Sequence, residues 1–130
     1  MKRWIPFGFA LLFLFSCDNE VDLTADYKDI PVVYGLLDAT QDTQWIRINK
    51  AYLGDGNALI FAQSPDSIYY PNLQVALLRL NSDGDPVDSI ALERTENAIL
   101  KDDGTFAPNP NILFRYTSGI NQNFDYRLHI

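Results

Sequence analysis

The sequence predicts an all-β fold for residues 30–130, and three observations carry that reading. Short apolar stretches rich in β-branched and aromatic residues recur along it, several alternate apolar and polar side chains with period two, and Gly, Pro and Asp-Gly turn signals separate them. Strands at that spacing, with one short helix among them, give an antiparallel β-sandwich of immunoglobulin-like or transthyretin-like type. The inter-sheet disulfide of antibody domains is excluded, because Cys17 is the only cysteine of the chain.

The first element is an address. Met1-Lys2-Arg3 is a short positive segment, and Trp4 to Phe15 are twelve residues without a charge, broken by Pro6 and Gly8. A membrane-spanning helix needs roughly 20 apolar residues to cross about 30 Å of hydrocarbon, so this run has the length and flanks of a cleaved export signal. It closes on Leu14-Phe15-Ser16-Cys17, which resembles a bacterial lipobox: a leucine three residues before the cysteine and a small residue directly before it. Phe15 stands where a small or β-branched residue is usual. The resemblance implies that residues 1–16 are a lipoprotein signal peptide and that Cys17 is the mature N-terminus, its thiol joined to diacylglycerol. Each buried methylene of such an anchor contributes about 0.8 kcal/mol, and more than one acyl chain is needed for stable residence. A thiol committed to lipid leaves no internal disulfide, so the core alone must hold the exported chain together.

Residues 17–29 read as an acidic tether that opens with Asp18, Glu20 and Asp22. Acids just behind the lipidated cysteine resemble the surface-export signal of Bacteroidota lipoproteins; a solvated linker without information is the other reading, and both stand. The expected location is the outer membrane, with the body facing the surface or the periplasm. Loss of residues 1–16 removes Lys2 and Arg3 and no acid, taking the net charge from −7 to −9. So acidic a body opposes nucleic acid and bare anionic lipid, which demand Lys/Arg patches. With 47% hydrophobic and 13% aromatic residues, the chain has ample material for one core.

Ile30 to Leu37 reads as a strand with Pro31 near its start, where a missing N–H is tolerated. Gln44 to Leu53 sets Ile46 and Ile48 on one face and Trp45, Arg47 and Asn49 on the other. Gly54-Asp55-Gly56 ends it. Asn57 is an N-cap candidate for a short helical turn through Gln63 that Pro65 stops, and Asp66 to Asn72 reads as irregular. Leu73 to Leu80 is nearly continuous apolar sequence, as expected of a central strand covered on both faces. The turn Asn81-Ser82-Asp83-Gly84-Asp85 then joins it to Val87–Arg94, with Ile90 and Leu92 in phase, as a hairpin. Asp102-Asp103-Gly104 is a second turn signal, and the Pro108/Pro110 segment is loop. Ile112–Thr117 and Phe124–Ile130 are the last strands. Ending on a strand with no polar tail is unusual, and the expectation is a domain incomplete at its C-terminus.

Candidate chemistry is sparse, and neither a catalytic residue nor a metal site or cofactor is expected. Asn81, Asp83 and Asp85 imitate a calcium loop, but the glycine falls at the fourth position and Leu92 stands where the bidentate acid belongs, so a hairpin turn explains them. His129 is the sole histidine, which leaves no His/Cys cluster for zinc and no nucleophile pair. Glycine-rich phosphate loops and nucleophile elbows are missing too. Trp45, Tyr52, Tyr69 and Tyr70 are the candidate ligand-binding residues, since flat amphipathic rings suit sugar or peptide; the competing reading makes them core filler.

The lipobox at Cys17, the stretch Pro31 to Leu37 (PVVYGLL), the stretch Ile46 to Gly54 (IRINKAYLG) and the terminal Tyr126 to Ile130 (YRLHI) together resemble an uncharacterised family of Bacteroidota outer-membrane lipoproteins. Their domain of unknown function begins with an Ig-like sandwich. The resemblance implies a longer parent protein, no enzymatic activity, and work beside TonB-dependent transporters. The expectation is a lipid-anchored binding or accessory module of the cell envelope that meets an outer-membrane transporter or a surface ligand. Two alternatives stand beside it: a polysaccharide-acting enzyme, which needs two carboxylates about 5 to 9 Å apart in a cleft, and a structural or adhesive surface protein with a flat exposed sheet edge.

Overall fold

The computed structural model describes residues 30–51 and 56–130. The lipobox residues Leu14, Phe15 and Ser16, the lipidation candidate Cys17, the tether and Tyr52 lie outside the described residues.

Among the described residues seven strands build two antiparallel sheets. One takes β1 (Pro31–Gly35), β2 (Gln44–Lys50), β5 (Glu93–Glu96) and β6 (Ile112–Tyr116) in the order β1-β2-β6-β5. The other takes β3 (Ala76–Leu80), β4 (Pro86–Ala91) and β7 (Asp125–His129) in the order β4-β3-β7. Lettered as an immunoglobulin sandwich, these orders are A-B-E-D and C′-C-F, which favours the first of the two expected sandwich types.

Period-two alternation explains how the sheets face one another. On β2, Gln44, Ile46 and Ile48 are buried while Trp45, Arg47 and Asn49 are half-buried on the opposite face. Ile46 pairs with Phe114 and Leu77 with both Ile90 and Leu128, so their shared faces meet between the sheets. The core there is Ile46, Ile48, Val75, Leu77, Leu92, Phe114 and Tyr116. A smaller cluster of Ile68, Tyr69, Ala107 and Ile112 seals one end.

Four details depart from the sequence reading. Among the described residues two short helices are present instead of one: α1 (Ala58–Phe61), capped by Asn57 whose side chain accepts from the Leu59 N–H, and α2 (Pro65–Ile68), which runs into the segment Asp66 to Asn72 read as irregular. Pro65 starts α2 as well as ending what precedes it; its fixed φ suits the first helical position. β3 is central in its sheet, but it begins at Ala76 and is not covered throughout on both faces: Leu77 and Leu80 are buried, while Ala76 and Leu78 are half-exposed. Finally, Val87–Arg94 is not one strand: the chain leaves the smaller sheet at Ala91, passes through buried Leu92 and joins the larger sheet at Glu93.

The turn 81–85 is built as a hairpin demands. Asn81 Oδ1 accepts from the N–H groups of Asp83 at 3.0 Å and Asp85 at 2.9 Å, and Gly84 takes φ +83°, where a Cβ is disfavoured. The acidic spacing that imitates a cation loop thus serves the backbone.

Candidate binding surfaces

Among the described residues the predicted aromatics do not form one platform. Trp45 sits on the outer face of β2 with the Arg115 guanidinium 5.9 Å from its ring, and Arg115 is in turn held by Glu93 at 2.6 Å. Tyr69 is buried, a filler of the smaller cluster, as the core reading expects. Tyr70 is half-buried, packs against the main core and shows its ring to a cleft, where the Lys50 ammonium lies 5.4 Å from the ring centre. Trp45 and Lys50 are five residues apart on β2, so about 17 Å of strand separates Trp45 from the Tyr70 cleft.

That cleft, of about 500 Å³, is the most elaborate concavity described. Its floor is Tyr69, Tyr70 and Ile112, its rim is Pro65, Pro71 and Pro110, and charges of both signs stand around it. Arg94 and Glu96 pair at 2.5 Å on one wall, while across from them Lys50 Nζ donates to the Asp66 carbonyl at 3.1 Å. The elements place these groups for simple reasons. Lys50 closes β2, α2 presents Asp66 in its first turn, and the short edge strand β5 sets Arg94 and Glu96 on one face by alternation. Lys50, Arg94 and Glu96 were unmarked by sequence reasoning; the Pro65 and Pro71 brackets around Tyr69-Tyr70 are the signal that points to them.

Two further surfaces flank it. A cleft of about 190 Å³ lies under α1, between Leu59, Phe61, Phe106 and Asn49, whose buried Oδ1 has no hydrogen-bond partner among the described residues. Another, of about 570 Å³, opens at the end of the smaller sheet between Leu73, Val75, Leu92, His129 and Ile130. His129 is exposed there on β7.

Electrostatics outside the clefts is structural. Arg79 faces inward between Asp88 on β4 and Tyr126 on β7, pairs with Asp88, and lies 5.5 Å from the Phe124 ring. The Arg79 guanidinium holds the Asp88 carboxyl below its ordinary range. Lys101 donates to the Phe106 and Ala107 carbonyls, and burial, with the Arg47 charge nearby, pulls its ammonium below the usual lysine value. Among the described residues no group of three His, Cys, Asp or Glu side chains is gathered to hold a metal ion, and no helix is long and apolar enough to cross a membrane.

No family model matches the chain, and neither a curated protein nor a solved structure matches it.

Proposed function

We propose that this chain is a lipid-anchored binding or accessory module of the cell envelope. Cys17 holds it at the outer membrane, its sandwich faces the surface or the periplasm, and an outer-membrane transporter or a surface ligand is its partner. The location rests on the residues Leu14-Phe15-Ser16-Cys17 behind an uncharged run of export-signal length. The resemblance to Bacteroidota outer-membrane lipoproteins, carried by those residues together with Pro31 to Leu37, Ile46 to Gly54 and Tyr126 to Ile130, supports the transporter as the partner.

The binding half rests on one observation, the Tyr70 cleft. A half-buried ring beside a lysine, with a second ion pair on the facing wall, offers stacking area and fixed charges of both signs to a polar ligand. Excess negative charge on the body directs it away from nucleic acid.

A photo-crosslinking amino acid at Pro71, on the cleft rim, tests this in intact cells. A discrete adduct is expected that disappears in Tyr70→Ala and Lys50→Glu backgrounds of unchanged abundance. An adduct indifferent to both substitutions, or none, contradicts the assignment of the cleft.

A further inference from the structure

α1 buries none of its residues. All four are exposed, Leu59 at 62% and Ile60 at 69%, although three of the four are large apolar side chains. Phe106, 53% exposed, stands beside them, for it lines the same small cleft as Leu59 and Phe61. The backbone holds the two segments together: the Ala107 N–H donates to the Ala62 carbonyl at 2.7 Å, and Gln63 Nε2 donates to the Gly104 carbonyl at 3.2 Å and to that of Thr105. Residues 56–65 carry no charge in a chain that is 21% charged. A contiguous apolar patch of this kind, fixed in place by main-chain bonds, marks a contact surface.

Its place in the fold names the occupant. The Ala51 N–H donates to the Ile30 carbonyl at 2.8 Å, so residues 17–29 join the sandwich at the Lys50 end of β2. α1 lies at that same end, over a cleft lined by Asn49 and Lys50. Even fully extended, residues 17–29 reach no farther than about 45 Å, and they do so from the side that carries the patch. We propose that α1 and Phe106 rest on a zwitterionic phospholipid surface, their apolar side chains inserted among the headgroups of the membrane to which Cys17 is joined. The nearness of that membrane rests on the envelope reading above; the patch itself does not.

Charge selects the lipid. Asp102 and Asp103 lie just before Phe106 and the chain carries a net −7, so an anionic surface would repel this end, whereas a zwitterionic one does not. Lys101 is no counterweight, since its ammonium is turned to the Phe106 and Ala107 carbonyls. The far end of the sandwich is unsuited. With Leu92 alone between them, β4 and β5 run on in one direction from the 81–85 turn to Glu96 beside Ile112, which sets that turn, with Asp83 and Asp85, away from the patch. Insertion of so few side chains is weak by itself, but the anchor makes it intramolecular, and a weak contact then suffices to fix orientation. Held so, the Tyr70 cleft, which shares Lys50 with the cleft under α1, opens close to the lipid surface.

The test uses the chain from Cys17 onward, which contains the whole sandwich, with that thiol coupled to a maleimide phospholipid in phosphatidylcholine vesicles. An environment-sensitive fluorescent amino acid replaces Ile60 or, for reference, Asp83. Bromine atoms near the headgroup end of the acyl chains are expected to quench the label at position 60 several-fold more than the label at position 83. Leu59→Asp with Phe106→Asp, both exposed changes, should bring the two to the same level. Equal quenching at the two positions in the unsubstituted chain overturns the proposal, and so does quenching at position 60 that ignores the paired substitutions. A label at position 60 already shielded from aqueous iodide before lipid is present overturns it too, since protein, this chain's own or a second copy's, then covers the patch. Chemical coupling makes the result independent of acylation in cells, so a failure here and a failure of the envelope reading are separate results.

Discussion

Gln44 and Asn111 are the buried polar side chains of the described residues, 2% and 1% exposed. Gln44 Nε2 donates to the carbonyls of Asp38 at 2.8 Å and Gln41 at 2.7 Å, and its Oε1 accepts from the Asp38 N–H at 2.7 Å, pinning the β1–β2 connection to the core. Asn111 accepts from Arg47 at 2.9 Å and donates to the Ile99 carbonyl at 2.7 Å, tying the loop before β6 to β2. Gln44→Leu fills the same space and takes their side-chain partner from the Asp38 N–H and the Gln41 carbonyl, while the Asp38 carbonyl keeps its bond from the Gln41 N–H, so urea denaturation should show a loss of about 2 kcal/mol. Acid should act through Asp38 and Asp88. Thr40, by its hydroxyl and its N–H, and Arg79 hold these two carboxyls below the ordinary 3.8. A carboxyl with a depressed folded-state pKa adds stability above its unfolded value and loses it as pH falls through the folded one. The unfolding midpoint is therefore expected to decline as pH drops below 3.8, and to decline less in an Asp38→Asn/Asp88→Asn double variant. The alternation of β2 announces the inward face on which Gln44 sits. That the inward residue is a glutamine reaching into a loop is a tertiary fact that no periodicity carries.

At the level of elements, local chemistry was legible and sheet membership was not. The Asn81–Asp85 turn, the Asn57 cap and the alternation of β2 are short-range effects that residue types declare. α2 was not legible: Ser64-Pro65-Asp66 puts a cap candidate, a proline and an acid where a helix starts, but the same proline reads as a stop and the segment after it as irregular. The transfer at Leu92 has no local signal. The alternation of Ile90 and Leu92 runs on unbroken, and only the competition of two sheets for one segment divides it. Leu92 is 8% exposed and seals the corner, so Leu92→Ala should cost about 2 to 5 kcal/mol in urea denaturation with the slope unchanged. Gly84→Ala has open space for the methyl but a φ of +83°, and should cost about 1 kcal/mol in the same measurement.

The described residues form a small sandwich, and the proposed binding role falls on the charged Tyr70 cleft at its periphery. The sandwich was legible in the sequence, where Tyr70 stands as one of four candidate ligand-binding aromatics. The sequence did not announce the charges around Tyr70, contributed by β2, α2 and β5, which come together only once strand order is known. The N-terminal residues carry the claim on which the envelope role depends, namely that Cys17 is acylated after removal of residues 1–16. The direct measurement is the intact mass of the protein extracted from membranes of the cells that make it, alongside Cys17→Ala. A chain starting at Cys17 with the added mass of diacylglycerol is expected for the unaltered protein, and no such species for the variant. An unacylated mass, or residues 1–16 still attached in both, would contradict it.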